Sequence, residues 1–204
     1  MRKTVLLIFG ITILQVNSSC KSQYSATELN NNFTAEQISD LKKITDFFKK
    51  EMCLYMDSDF KTCYKQIPHE YLEATGNPFW ININFEKQKE LYKQISKSTF
   101  DEIWMFCKSR TYPDGLESKS LCANATGKYQ KFLSDLGGIN PRVAKYAEGI
   151  NASGDFSPMD FHYWNVLKIK KYFDLDDPNI QLILAIHYLS LNDQEKRKDK
   201  WEEE

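Results

Sequence analysis

The chain has 204 residues, with 27 Lys and Arg against 28 Asp and Glu and a formal net charge of −1. That balance excludes a protein held to nucleic acid by a basic excess, and the length fits one domain or at most two small ones. Eight glycines, six prolines and 14% aromatic residues exclude a collagen-like or disordered chain and imply a packed core.

Arg2 and Lys3 precede an apolar run from Val5 to Val16, which is followed by the polar Asn17-Ser18-Ser19 and Cys20. The run is shorter than the roughly 20 residues that cross a bilayer. Residues 1–19 therefore read as a secretory signal peptide, removed from the mature chain. Ser18-Ser19-Cys20 resembles the lipobox of bacterial lipoproteins, in the looser form found in the Bacteroidetes group. The resemblance implies that Cys20 becomes the first mature residue and carries acyl chains, palmitate among them. The protein would then sit on the cell envelope, with the outer membrane as its expected location. Ordinary cleavage after Ser18 is the other reading and leaves a soluble periplasmic or secreted protein. Residues 20–32 are polar and read as a lipidated flexible tether.

The body, residues 33–193, reads as one all-α domain of roughly eight helices. Thr34 with Gln37 forms a capping box, and Ile38, Leu41, Ile44, Phe48 and Met52 mark one face of the helix behind it. A second helix is predicted from Phe60 to Ala74, with Asp57-Ser58-Asp59 as its cap. Gly76-Asn77-Pro78 is a break, and Phe79-Trp80-Ile81 continues as an apolar connection. Asn84 caps a helix carrying Leu91 and Ile95. Thr99 with Glu102 suggests a further capping box, and Phe100, Ile103, Trp104 and Cys107 fall at helix spacing.

Residues 108–121 contain Pro113-Asp114-Gly115 and no periodicity, so they read as the longest loop and as a candidate subdomain boundary. Asn124 reads as a helix cap. Tyr129, Phe132, Leu133 and Leu136 form a helix stopped by Gly137-Gly138. Asn140-Pro141, Ser157-Pro158 and Asp177-Pro178 each place a capping residue before a proline suited to the first helical position. The stretch Phe161 to Phe173 has little polar face and reads as the central helix. The charged residues 194–204 read as a fraying tail.

Five cysteines are an odd number. Setting Cys20 aside for lipid leaves Cys53, Cys63, Cys107 and Cys122, an even set that reads as two disulfides in an exported chain. The sequence-local pairing, Cys53–Cys63 and Cys107–Cys122, is expected. No cysteine pair or nearby histidine has zinc-ligand spacing, so neither metal nor cofactor is expected.

No metalloprotease, α/β-hydrolase, phosphate-loop or dinucleotide signature occurs. His69 reads as a surface residue. His162 and His187 lie on apolar stripes as core histidines, and could converge with Asp160 into an acid–base site. Glu70, Glu73 and Glu102 are carboxylate candidates of the kind lysozyme-like enzymes use. Phe79, Trp80 and Tyr112 are loop aromatics that could stack on a sugar or a partner. The reading that follows is an envelope-anchored interaction or accessory protein, non-enzymatic, with an envelope protein or glycan partner and no nucleic acid. An envelope-polymer hydrolase and an immunity or inhibitor protein are the alternatives.

Overall fold

The computed structural model describes residues 27–201 except 55, 57, 111–112 and 157–158. The signal segment, Cys20, Tyr112 and Ser157-Pro158 lie outside the described residues. Ten α-helices and one two-stranded sheet follow in chain order among the described residues. α1 (Thr27–Asn32) leads to α2 (Ala35–Met52), whose Thr34–Gln37 capping box is formed as the sequence predicts. α3 (Phe60–Gln66) and α4 (His69–Ala74) come next, then a 3-10 turn at Phe79–Asn82. α5 (Phe85–Gln94) is capped by Asn84, and α6 (Lys97–Asp101) by Ser96. Strands β1 (Trp104–Arg110) and β2 (Glu117–Ala123) pair antiparallel. α7 (Lys128–Gly137), α8 (Pro141–Ser153), a 3-10 turn at Met159–Phe161, α9 (Tyr163–Lys168) and α10 (Pro178–Lys196) complete the body. No described helix is long and apolar enough to cross a membrane.

The fold is mostly helical, but the β-hairpin corrects the all-α expectation. The expected helix through Trp104 and Cys107 is a strand, and the loop behind it is the turn and return strand. Seven residues with apolar groups at several spacings satisfy both periods, so periodicity alone cannot choose. Pairing decides it: Trp104 faces Ala123 and Arg110 faces Glu117 across the ladder. Trp104 turns inward and donates its indole N–H to Ser190 Oγ at 2.8 Å, while Met105 turns out to solvent. Gly115, at φ 67°, supplies the left-handed residue of the turn.

Both sequence-local disulfides are present. Cys53–Cys63 joins the end of α2 to α3 with Cα atoms 5.8 Å apart, and Cys107–Cys122 staples the hairpin at 5.9 Å. The predicted helix from Phe60 to Ala74 is two helices, because Pro68 lacks the N–H needed to continue and disfavours helical backbone at Ile67.

α10 is the central element in place of the stretch around α9. Ile180, Leu182 to Ile186 and Leu189 are all buried, so it is apolar on every side. α2, α5, the hairpin and the Phe79–Asn82 turn surround it, and α7 and α8 pair beside it with α1 packed on α7. α10 also runs past the expected start of the tail, and the chain beyond it is docked. Asp199 O accepts from Lys119 N–H at 2.9 Å, and Lys200 bridges Ser118 on β2. At the other end, residues expected to be tether form α1, whose Leu29 is fully buried.

Side-chain hydrogen bonds lock the short elements. On α2, Asp40 accepts from Ser96 N–H at 2.8 Å, Thr99 Oγ1 at 2.9 Å and Lys43 Nζ at 2.7 Å. Burial opposes its ionisation, but these bonds outweigh it and hold the carboxyl below its ordinary range. Glu102 closes the start of α7 by accepting from Lys128 N–H at 2.7 Å. Asn124 forms a turn with Thr126 rather than a helix cap; its Oδ1 accepts from Thr126 N–H at 3.1 Å.

Candidate functional site

The three expected acid–base candidates take separate partners. His187 is buried in α10, where Nδ1 accepts from Tyr146 O–H at 3.1 Å and the ring bonds the Phe156 carbonyl. Burial drives its pKa down to about 3, so it is neutral. Asp160 faces α8, 3.4 Å from Lys145 and 3.8 Å from Arg142. His162 caps α9 through Nδ1, 3.4 Å from Trp164 N–H, and its Nε2–H donates to Glu73 Oε1 at 2.5 Å. Both histidine rings are thus engaged on both nitrogens, and no hydrogen bond or ion pair among the described residues joins the three groups.

The loop aromatics divide differently. Phe79 is 5% exposed and its ring centroid lies 4.5 Å from that of Tyr188 and 4.7 Å from that of His69. It is a core plug under its turn. Trp80 packs half-buried against the same core. Glu102 serves α7, as described. Among the carboxylate candidates this leaves Glu70 and Glu73, both on α4.

α4 and α9 define a surface groove of about 490 Å³. Its construction starts at Pro68, where the chain turns and His69 N–H donates to Ile67 O at 2.8 Å. The turn sends the His69 ring inward, against the sequence expectation of a surface histidine. His69 is 4% exposed and stacks on Tyr163 with centroids 4.9 Å apart and planes 7° from parallel. Its Nε2 bonds the Tyr64 carbonyl at 2.8 Å, and its buried Nδ1 has no partner. Burial lowers its pKa, so the ring is neutral, Nε2 carries the proton and Nδ1 is an acceptor.

A second tie joins the helices at one end of the groove. The Glu73 carboxylate takes the His162 Nε2–H and the Tyr163 hydroxyl. Burial, then the charge and hydrogen bond of Glu73, raise the pKa of Tyr163. His69 and Tyr163 make a rigid, nearly buried floor. Pro68, Glu70 and Tyr71 line one wall, and Trp164, Leu167 and Lys168 the other. The rims are aromatic and open: Tyr71 is 68% exposed and Trp164 48%. Lys168 Nζ sits 4.4 Å from the centroid of the Trp164 ring.

Neither Tyr71 nor Trp164 is among the sequence candidates. Trp164 belongs to an apolar stretch that reads as buried, yet on the six-residue α9 it is exposed while Tyr163 and Val166 are buried. Tyr71 did leave a signal, since it stands among Glu70 and Glu73 on a short polar helix. Among the described residues no cluster of His, Cys, Asp and Glu could hold a metal ion. Comparison of the chain with protein-family models, with curated proteins and with solved structures finds no match.

Proposed function

We propose that the protein is a lipid-anchored cell-envelope protein whose helical domain is a binding module, with the groove between α4 and α9 as its binding surface. The observation that carries this reading is the pair of large aromatic rings, Tyr71 and Trp164, left exposed on opposite walls of one groove. Folding leaves their apolar area in water, so its burial is available to a partner. The floor beneath them is held by stacking and by the Glu73 hydrogen bonds, so little ordering entropy opposes binding. The hydrolase reading would use Glu73 and His162. Those groups are tied to each other and to the start of α9, where they build the groove.

Two measurements in living cells test the proposal. Cys20→Ser is expected to move the protein from the membrane fraction to the soluble fraction. A benzophenone side chain at position 71 is expected to give envelope-derived adducts, while one at the exposed Ile139, outside the groove, gives none. Retention of Cys20→Ser in the membrane fraction overturns the lipid anchor. Equal labelling from both positions overturns the groove as the binding surface.

A further inference from the structure

The groove has a neighbour. Leu167 also bounds a second cavity of about 210 Å³, lined by Lys61, Lys65, Lys170, Phe173 and Asp174 among others. Lys61 is paired with Asp174 and Asp176, whereas Lys65 and Lys170 have no acidic partner within ion-pair distance among the described residues. Lys168, on the groove lining, lies over the Trp164 ring. Leu167 is therefore common to an aromatic groove and a lysine-lined cavity.

We propose that this composite groove binds an acidic glycan, with a pyranose ring held by Trp164 and Tyr71 and a neighbouring carboxylate held by Lys65 and Lys170. The proposal rests on the reading of the α4–α9 groove as the binding surface. A pyranose presents an apolar C–H face, which suits the π face of an aromatic ring, and an edge of hydroxyls that must keep hydrogen bonds. Both needs meet here. The aromatic rims offer the faces, and the Glu70 carboxylate is an acceptor on the same lining.

The anionic group lies at the lysine end, where charge complementarity favours it. The volume of about 490 Å³ falls within the roughly 300–1,000 Å³ typical of small-ligand sites. Glu70 on the wall disfavours a phosphodiester chain, and the charged Glu70 and Lys168 on an open groove disfavour an acyl chain.

Calorimetric titration of the full chain in detergent micelles tests this. The probes are hyaluronan tetrasaccharide, which alternates N-acetylglucosamine with glucuronate, and uncharged chitotetraose. Hyaluronan is expected to bind about tenfold more tightly than chitotetraose at low salt, and the difference should shrink as salt rises. Tyr71→Ala and Trp164→Ala should each weaken both sugars by about tenfold, with Trp164→Phe retaining most of the affinity. Lys65→Gln with Lys170→Gln should bring hyaluronan down to the chitotetraose level without moving the thermal midpoint.

Should Trp164→Ala fail to fold, Tyr71→Ala carries the same test from the rim. The proposal is overturned if neither sugar binds or if the aromatic variants leave affinity unchanged. It is also overturned if octathymidylate or octaproline binds more tightly than both sugars. Position-71 adducts in cells together with no sugar binding would defeat the glycan assignment alone. Loss of both would defeat the binding surface itself.

Discussion

His187 illustrates how a residue with catalytic potential becomes a structural one. It is 3% exposed, its two nitrogens are taken by Tyr146 and Phe156, and burial holds its pKa at about 3 against 6.5 in the free side chain. The folded value is the lower one, so the linkage has a definite sign. Above pH 6.5 both states are neutral and no penalty arises. Below it the unfolded chain takes a proton that the folded chain refuses, and stability falls until about pH 3. Between pH 6.5 and 5 this single group should remove about 2 kcal/mol. His187→Gln keeps a donor and an acceptor but does not titrate. Urea unfolding at pH 7 and pH 5 should show a smaller pH-dependent loss for the variant, and equal losses would refute the assignment. The apolar stripe around His187 made its burial legible. Its partners were not, because Tyr146 is 41 residues away in the chain.

At the scale of elements, most caps are legible in the sequence, while the Thr99–Glu102 box gives way to a cap at Ser96, and the break at Pro68 and the hairpin are not legible. Thr34, Asn84, Asn140 and Asp177 cap the helices that the sequence assigns to them. Capping acts over three or four residues, so local sequence suffices. The hairpin depends on β1 finding β2, and Trp104 finding Ser190, which no local window contains. The junction after it makes the same point. A Cβ at Gly127 would lie 2.3 Å from the Glu102 carbonyl oxygen, a backbone atom that cannot move aside. Gly127→Ala should therefore cost about 2 kcal/mol or more. That loss corresponds to a fall of about 4–8 °C in thermal midpoint for a chain of this size. An unchanged midpoint would mean that the α7 start is free to shift.

For the whole molecule, the end of α10 matters as much as its apolar middle. Arg197 donates to both oxygens of the buried Asp193 at 2.7 and 2.8 Å, and to Asp199 at 2.6 Å. Its guanidinium carbon lies 4.8 Å from the centroid of the Phe106 ring on β1 and 5.6 Å from that of Phe85 at the start of α5. One charged residue thus ties α10 to the hairpin and to α5. Arg197→Ala leaves Asp193 as a buried charge without its partner, and should cost about 3–5 kcal/mol in denaturant unfolding. Replacing both residues, Asp193→Asn with Arg197→Met, should cost less than Arg197→Ala alone. A loss below about 1 kcal/mol for Arg197→Ala would place the pair among surface ion pairs.

The sequence by itself determined the helical body, most helix starts and stops, and a cysteine set fit for two local bridges. These features come from signals spanning a few residues: caps, prolines and the parity of the cysteine count. Only the tertiary structure decided the hairpin, the choice of α10 as the central helix and the docking of a charged tail. The groove belongs with these. His69 is buried because Tyr163, from a distant part of the chain, stacks on it and the Phe79 ring meets it edge-on. Tyr71 and Trp164 are exposed because two short helices meet there without a third to cover them. Whether an aromatic residue plugs the core or waits on a rim depends on its neighbours in space, and local sequence does not carry that information.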